Sequence, residues 1–116
     1  MRRPLDVPLL EDLASLPVEV IQNGDEPWVC SVVATAGDGD VLKLTWDAVA
    51  YSATVWWHEG ESQRFRSERE TVTQITCREE RDFLEFWIRS EVDGLKGLMV
   101  VRVGASVTID DRLLRG

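Results

Sequence analysis

The sequence predicts an all-β protein: a mainly antiparallel meander, barrel-like or folded as a twisted sandwich, with one short N-terminal helix. Three observations carry this. Apolar and polar residues alternate with period two over most of the chain, turn dipeptides interrupt it at short regular intervals, and residues 83–103 spell out a complete β-hairpin. In that hairpin Asp93-Gly94 supplies the two-residue turn, because a type I′ turn needs positive φ at both positions. Folding about it pairs Leu84 with Val103, Phe86 with Val101 and Ile88 with Met99 on an apolar face. The other face pairs Glu85 with Arg102, Trp87 with Val100 and Glu91 with Lys96. A slip of one residue would destroy both sets at once, so the register is strongly specified.

The remaining elements follow in chain order. Leu9, Leu10, Leu13 and Leu16 recur at helical spacing, Asp6 can cap the start and Pro17 stops the run, so residues 7–16 read as a short amphipathic helix lying over one end or face of the sheet. Residues 18–22 read as a first strand ending at Asn23-Gly24, and residues 18–110 as the meander. Trp28 to Ala36 and Val41 to Asp47 flank Gly37-Asp38-Gly39-Asp40. A turn at Asp38-Gly39 would set Val33 against Leu44 and Ser31 against Trp46. Asp-Gly-Asp hints at calcium, but an EF-type loop needs a distal Glu that is missing, and turn chemistry explains the motif better.

Val49, Tyr51, Ala53, Val55 and Trp57 then alternate with polar residues up to a turn at Glu59-Gly60-Glu61-Ser62, followed by a strand over 63–70. A three-residue loop, setting Val55 against Phe65 and Trp56 against Arg64, keeps the aliphatic residues on one face. Thr71 to Cys77 is β-branched and reads as a strand. Gly104 breaks the last long strand, Ser106 to Ile109 adds a short one, and Asp110 to Gly116 is expected to fray or to form one helical turn. Eight or nine short strands in 116 residues fit one domain, large enough to bury a core without staples.

Charge narrows the function classes. Up to Glu61 the chain carries eleven acids and three bases; from Ser62 onward it carries ten of each. The net charge of −8 therefore resides in the first half. Such a balance argues against nucleic acid, whose phosphates require a basic footprint, and suits a basic protein partner. Pro4, Asp6, Pro8 and Glu11 interrupt any apolar leader, and no apolar run reaches membrane-spanning length, so a cytoplasmic protein without membrane contact is expected. Cys30 and Cys77 lie far apart within strand-like segments, and with one histidine they make no zinc pattern. Two buried, reduced thiols, no metal and no cofactor are the expectation.

No motif names a reaction. His58, the only histidine, could act as a general base beside Ser52 or Ser62 with Glu59 or Glu61, but neighbours along one strand end do not make a converging triad. Arg64, Arg66 and Arg69 are interleaved with Glu68 and Glu70, which reads as a charge-guarded surface strand. Tryptophan and arginine are the usual anchors of interfaces. Trp56 and Trp87 fall on polar faces with His58, Arg64, Glu85, Arg89 and Arg102, and these seven are the candidate partner-binding residues. The alternative for the tryptophans is a second apolar layer under the helix. Taken together, the sequence points to a non-enzymatic acidic module that binds another protein, in the manner of a small inhibitor or immunity protein. A small-ligand carrier with Trp46, Tyr51, Trp57 and Phe86 lining its interior is the competing reading. The oligomeric state stays open, a homodimer included.

Overall fold

The structure is a computed structural model that describes residues 4–115, and the side chains of residues 4–112. It holds one helix, α1 (Leu10–Ala14), and nine strands: β1 (Glu19–Gln22), β2 (Val29–Thr35), β3 (Val41–Asp47), β4 (Ser52–Glu59), β5 (Ser62–Arg69), β6 (Val72–Glu79), β7 (Leu84–Val92), β8 (Leu95–Val103) and β9 (Val107–Arg115). Strands β1 to β5 form one sheet and β6 to β9 another, each an antiparallel meander in chain order. The inward faces of the two sheets share one core, with Val32, Leu42, Leu44 and Val55 from the first and Ile75, Phe86, Ile88, Met99 and Val101 from the second. Of the two closures expected, the chain adopts the two-sheet one. The switch between sheets occurs at Glu70-Thr71, where Thr71 sits at φ 54°, a costly conformation for a β-branched residue.

The β7–β8 hairpin has the expected pairing throughout, with Asp93 at φ 51° and Gly94 at φ 77° in its turn. Two other registers differ from expectation. In β2–β3, Ala36 N–H bonds Asp40 O at 2.8 Å around a three-residue loop, and Gly39 takes φ 93°. The loop is one residue longer than a turn at Asp38-Gly39 requires, so Val33 faces Lys43 and Ser31 faces Thr45. Cys30, Val32 and Ala34 point inward as a result.

In β4–β5 neither a pure two-residue nor a three-residue loop describes the pairing. Glu59 pairs with Ser62 and His58 with Gln63, then a bulge at Arg64 shifts the register so that Trp57 faces Phe65 and Trp56 faces Arg66. The extra residue returns Phe65 to the core side, where it packs with Trp57.

Three ends also differ. α1 is shorter than residues 7–16 because Asp6 does not cap it. Its backbone instead bridges to β6, donating to Thr73 O at 3.3 Å and accepting from Ile75 N–H at 2.8 Å, and its carboxylate accepts from Gln74 Nε2 at 2.8 Å. Only Leu13 of the helix is buried, plugging the shared core, while Leu9 and Leu10 stay exposed. β4 begins at Ser52, since the Asp47 carboxylate accepts the N–H groups of Val49 and Ala50 at 2.9 Å and turns the chain there. β9 continues to Arg115, paired with β8 along its length, where fraying was expected; Gly116 lies outside the described residues.

The thiols give a direct check on the core. Cys30 is buried and Cys77 half-buried, both free; burial raises both thiols, Cys77 up to about 12. Because the thiolate is the reacting form, titration with a thiol reagent at pH 8 should be slow for both in the native protein and complete on unfolding. Fast native labelling at either position would contradict this packing.

Candidate partner-binding surfaces

Strand alternation places Glu85, Trp87 and Arg89 of β7 on the outward face of the four-stranded sheet, with Arg102 of β8 opposite Glu85 and Arg78 of β6 on its other side. Glu85 is only 3% exposed although it points away from the core. Its carboxylate accepts from Arg102 Nε at 2.7 Å, from Arg78 Nη2 at 3.2 Å and from the indole N–H of Trp87. The hydrogen bond from Arg102 chiefly holds the carboxyl below its ordinary value; Trp87 and Arg78 add to this, and desolvation opposes it. Trp87 is half-buried between Arg78 and Arg89, whose guanidinium carbons lie 5.6 and 5.1 Å from its ring centroid. Leu98, Val100, Asp110 and Arg112 complete this face beside it.

Trp56 and His58 lie elsewhere, on the outward face of the five-stranded sheet. Trp56 is flanked by Lys43 at 5.3 Å and Arg66 at 5.7 Å, the bulge having put Arg66 where Arg64 was expected. Arg64 instead pairs with Glu59 at 3.0 Å and lies 5.8 Å from the ring of Trp57. His58 lines a shallow hollow with Val33, Val41, Lys43 and Trp56, and its Nε2 is buried without a hydrogen-bond partner. Ser52 pairs with Asp47 at the opposite end of β4, so it cannot serve His58.

The seven candidates therefore form two groups on outward faces that point away from each other, not one surface. The second-layer alternative also fails, because α1 buries Leu13 in the shared core, a core to which neither Trp56 nor Trp87 belongs. The proposed carrier interior is filled: Phe86 and Trp46 are core residues, and Tyr51 and Trp57 pack against it. Among the described residues no group of three or more His, Cys, Asp or Glu could hold a metal ion, and no helix is long and apolar enough to cross a membrane.

Sequence reasoning missed a third surface. Trp28, expected within β2, sits in the preceding loop and is the most exposed of the five tryptophans at 39%. Its carbonyl accepts from Ala48 N–H at 3.0 Å, which brings the β1–β2 loop against the β3–β4 turn. The signal was present in Asn23-Gly24-Asp25-Glu26-Pro27, a turn-forming run that extends up to Trp28 and leaves it no strand partner. A larger groove of about 760 Å³ lies where the N-terminal segment, Tyr51 and Thr71 meet β6 and β7, lined by Asp6, Tyr51, Thr71, Gln74, Arg89 and Glu91 among others.

No protein-family model matches this chain, and no curated protein matches it. A chain of the contact-dependent growth inhibition toxin - immunity protein complex from Klebsiella pneumoniae 342 is similar in fold. It has a TM-score of 0.75 at 13% identity, over 95% of this chain and 97% of that one. At that identity the likeness is one of fold, and it extends over nearly the whole of both chains.

Proposed function

We propose that this protein is a non-enzymatic inhibitor of the immunity type, a single domain that binds and neutralises a basic protein partner in the cytoplasm. The observation that carries this reading is the likeness, over nearly its full length, to a chain of a toxin–immunity complex. Charge supports it. Between residues 4 and 61, which hold α1 and most of the five-stranded sheet, eleven acids face a single base, Lys43. A basic toxin would meet that half, with Trp56 and His58 on its outward sheet face. The face around Trp87 carries four arginines, Arg78, Arg89, Arg102 and Arg112, against Lys43 and Arg66 beside Trp56, and would repel such a partner more strongly. Raised thiol pKa values leave both cysteines protonated, Ser52 is remote from His58, and His58 Nε2 has no hydrogen-bond partner, Ser62 included.

Two measurements test it. A partner isolated from the native host should arrest growth when expressed alone, and co-expression of this protein should relieve the arrest. Association should slow as ionic strength rises through about 0.1 M, where the Debye length falls to about 10 Å. Arrest unrelieved by co-expression, or an association rate indifferent to salt, would refute the proposal.

A further inference from the structure

Trp28, Val49 and Ile21 are apolar side chains left open to solvent at one end of the five-stranded sheet, with exposures of 39%, 66% and 46%. They are held together by local backbone geometry. Val29 pairs with Asp47, and Ile21 pairs with Ser31 two residues along the same strand. The loop itself is braced by Gln22 Nε2 donating to Pro27 O at 3.2 Å and by Val29 N–H donating to Glu26 O at 2.9 Å. A tryptophan presented on a braced loop loses little freedom on binding, which is what an interface anchor requires.

The rim identifies the occupant. Glu19 stands two residues before Ile21 on β1, Asp25 and Glu26 precede Trp28 in the loop, and Asp47 pairs with Val29 and accepts from Val49 N–H; none of the four is ion-paired among the described residues. Six of the chain's other acids, Glu59, Glu68, Glu80, Glu85, Asp110 and Asp111, do meet arginines, so what sets these four apart is that they stand beside exposed apolar side chains with no arginine in reach among the described residues. An exposed apolar centre inside an unpaired acidic rim has the form of an interface whose cations come from the other side.

We propose that the Trp28–Val49 surface docks a lysine- or arginine-bearing segment of the protein partner, its apolar residues seated on Trp28 and its cations meeting Asp25, Glu26 and Asp47. This rests on the inhibitor reading above and says where that contact is made.

The test uses the full chain with a photo-crosslinking amino acid at position 49, or at position 95 on the other sheet as a control, in cells of the native host. The protein cross-linked through position 49 is identified and purified, and its affinity is measured for the wild type and for Trp28→Ala, Val49→Arg and Trp56→Ala. The expected partner is basic. Trp28→Ala should weaken it roughly thirtyfold or more, as anchor truncations do, with the melting temperature unchanged. Val49→Arg, at a more exposed position, should weaken it by charge repulsion alone, and so decides the matter if Trp28→Ala disturbs folding. Should both variants bind within twofold of wild type while Trp56→Ala does not, the docking site is overturned and the inhibitor reading stands. If no protein binds saturably, or the bound protein is acidic, both fall.

Discussion

Glu85→Lys is expected to cost about 3–5 kcal/mol, a large part of the 5–15 kcal/mol that holds a domain of this size together. The side chain is 3% exposed and its carboxylate accepts from Arg102, Arg78 and the indole of Trp87. A lysine there would lose all three bonds and place an ammonium between two guanidinium groups with little water to screen it. Glu85→Gln keeps an acceptor and the shape, so about 1–3 kcal/mol is expected. Arg102→Glu combined with Glu85→Lys should recover part of the loss, since Arg102 is half-exposed and tolerates reversal. Urea denaturation of the four proteins measures these differences directly; a Glu85→Lys protein within 1 kcal/mol of wild type would mean the network contributes nothing.

Acid should expose the same network with a definite sign. The Glu85 carboxyl is held below its ordinary value of 4.5 in the folded state, first by Arg102. A depressed folded pKa stabilises the protein fully above the unfolded value, and that stability is lost as the pH falls through the folded one. The stability gap between wild type and Glu85→Gln should therefore be constant near neutrality and shrink as the pH falls below about 4.5.

How much of this was legible beforehand depended on what each residue constrains. Asp93-Gly94 admits one turn, and the strands beside it carry complementary pairs at every step, so the whole β7–β8 register could be written down. Gly37-Asp38-Gly39 offers glycine at two positions, and a shift of one residue still leaves valines and alanines to face inward, so the β2–β3 pairing slipped by one. The bulge at Arg64 has no mark in the sequence, because any residue can be the unpaired one. Above all, period-two alternation separates inward from outward within a strand but does not say to which sheet the strand belongs. Trp56 and Trp87 were each placed on an outward face correctly, yet the sheet switch at Thr71 sends those faces in opposite directions. A partner surface assembled from both could not have been recognised as two without the pairing of strands.

Phe86→Ala and Trp87→Ala should differ although the residues are adjacent on β7. Phe86 is 1% exposed in the shared core, and its removal should cost about 3–5 kcal/mol through lost burial and the cavity left behind. Trp87 is the larger side chain but is half-buried on the outward face, where it gives up two cation–π contacts and one hydrogen bond to Glu85. Exposed cation–π contacts contribute about 0.5–1 kcal/mol each and the hydrogen bond about 0.5–1.5 kcal/mol, so about 1.5–3.5 kcal/mol is expected for Trp87→Ala. At about 4 °C per kcal/mol, the two variants should melt several degrees apart, Phe86→Ala lower. Only the pleat separates the two positions, so the comparison holds backbone and strand nearly fixed and reads the difference between the two faces. Equal costs would place Trp87 in a second buried layer, and an outward sheet face open to a partner would then not exist on this side of the molecule.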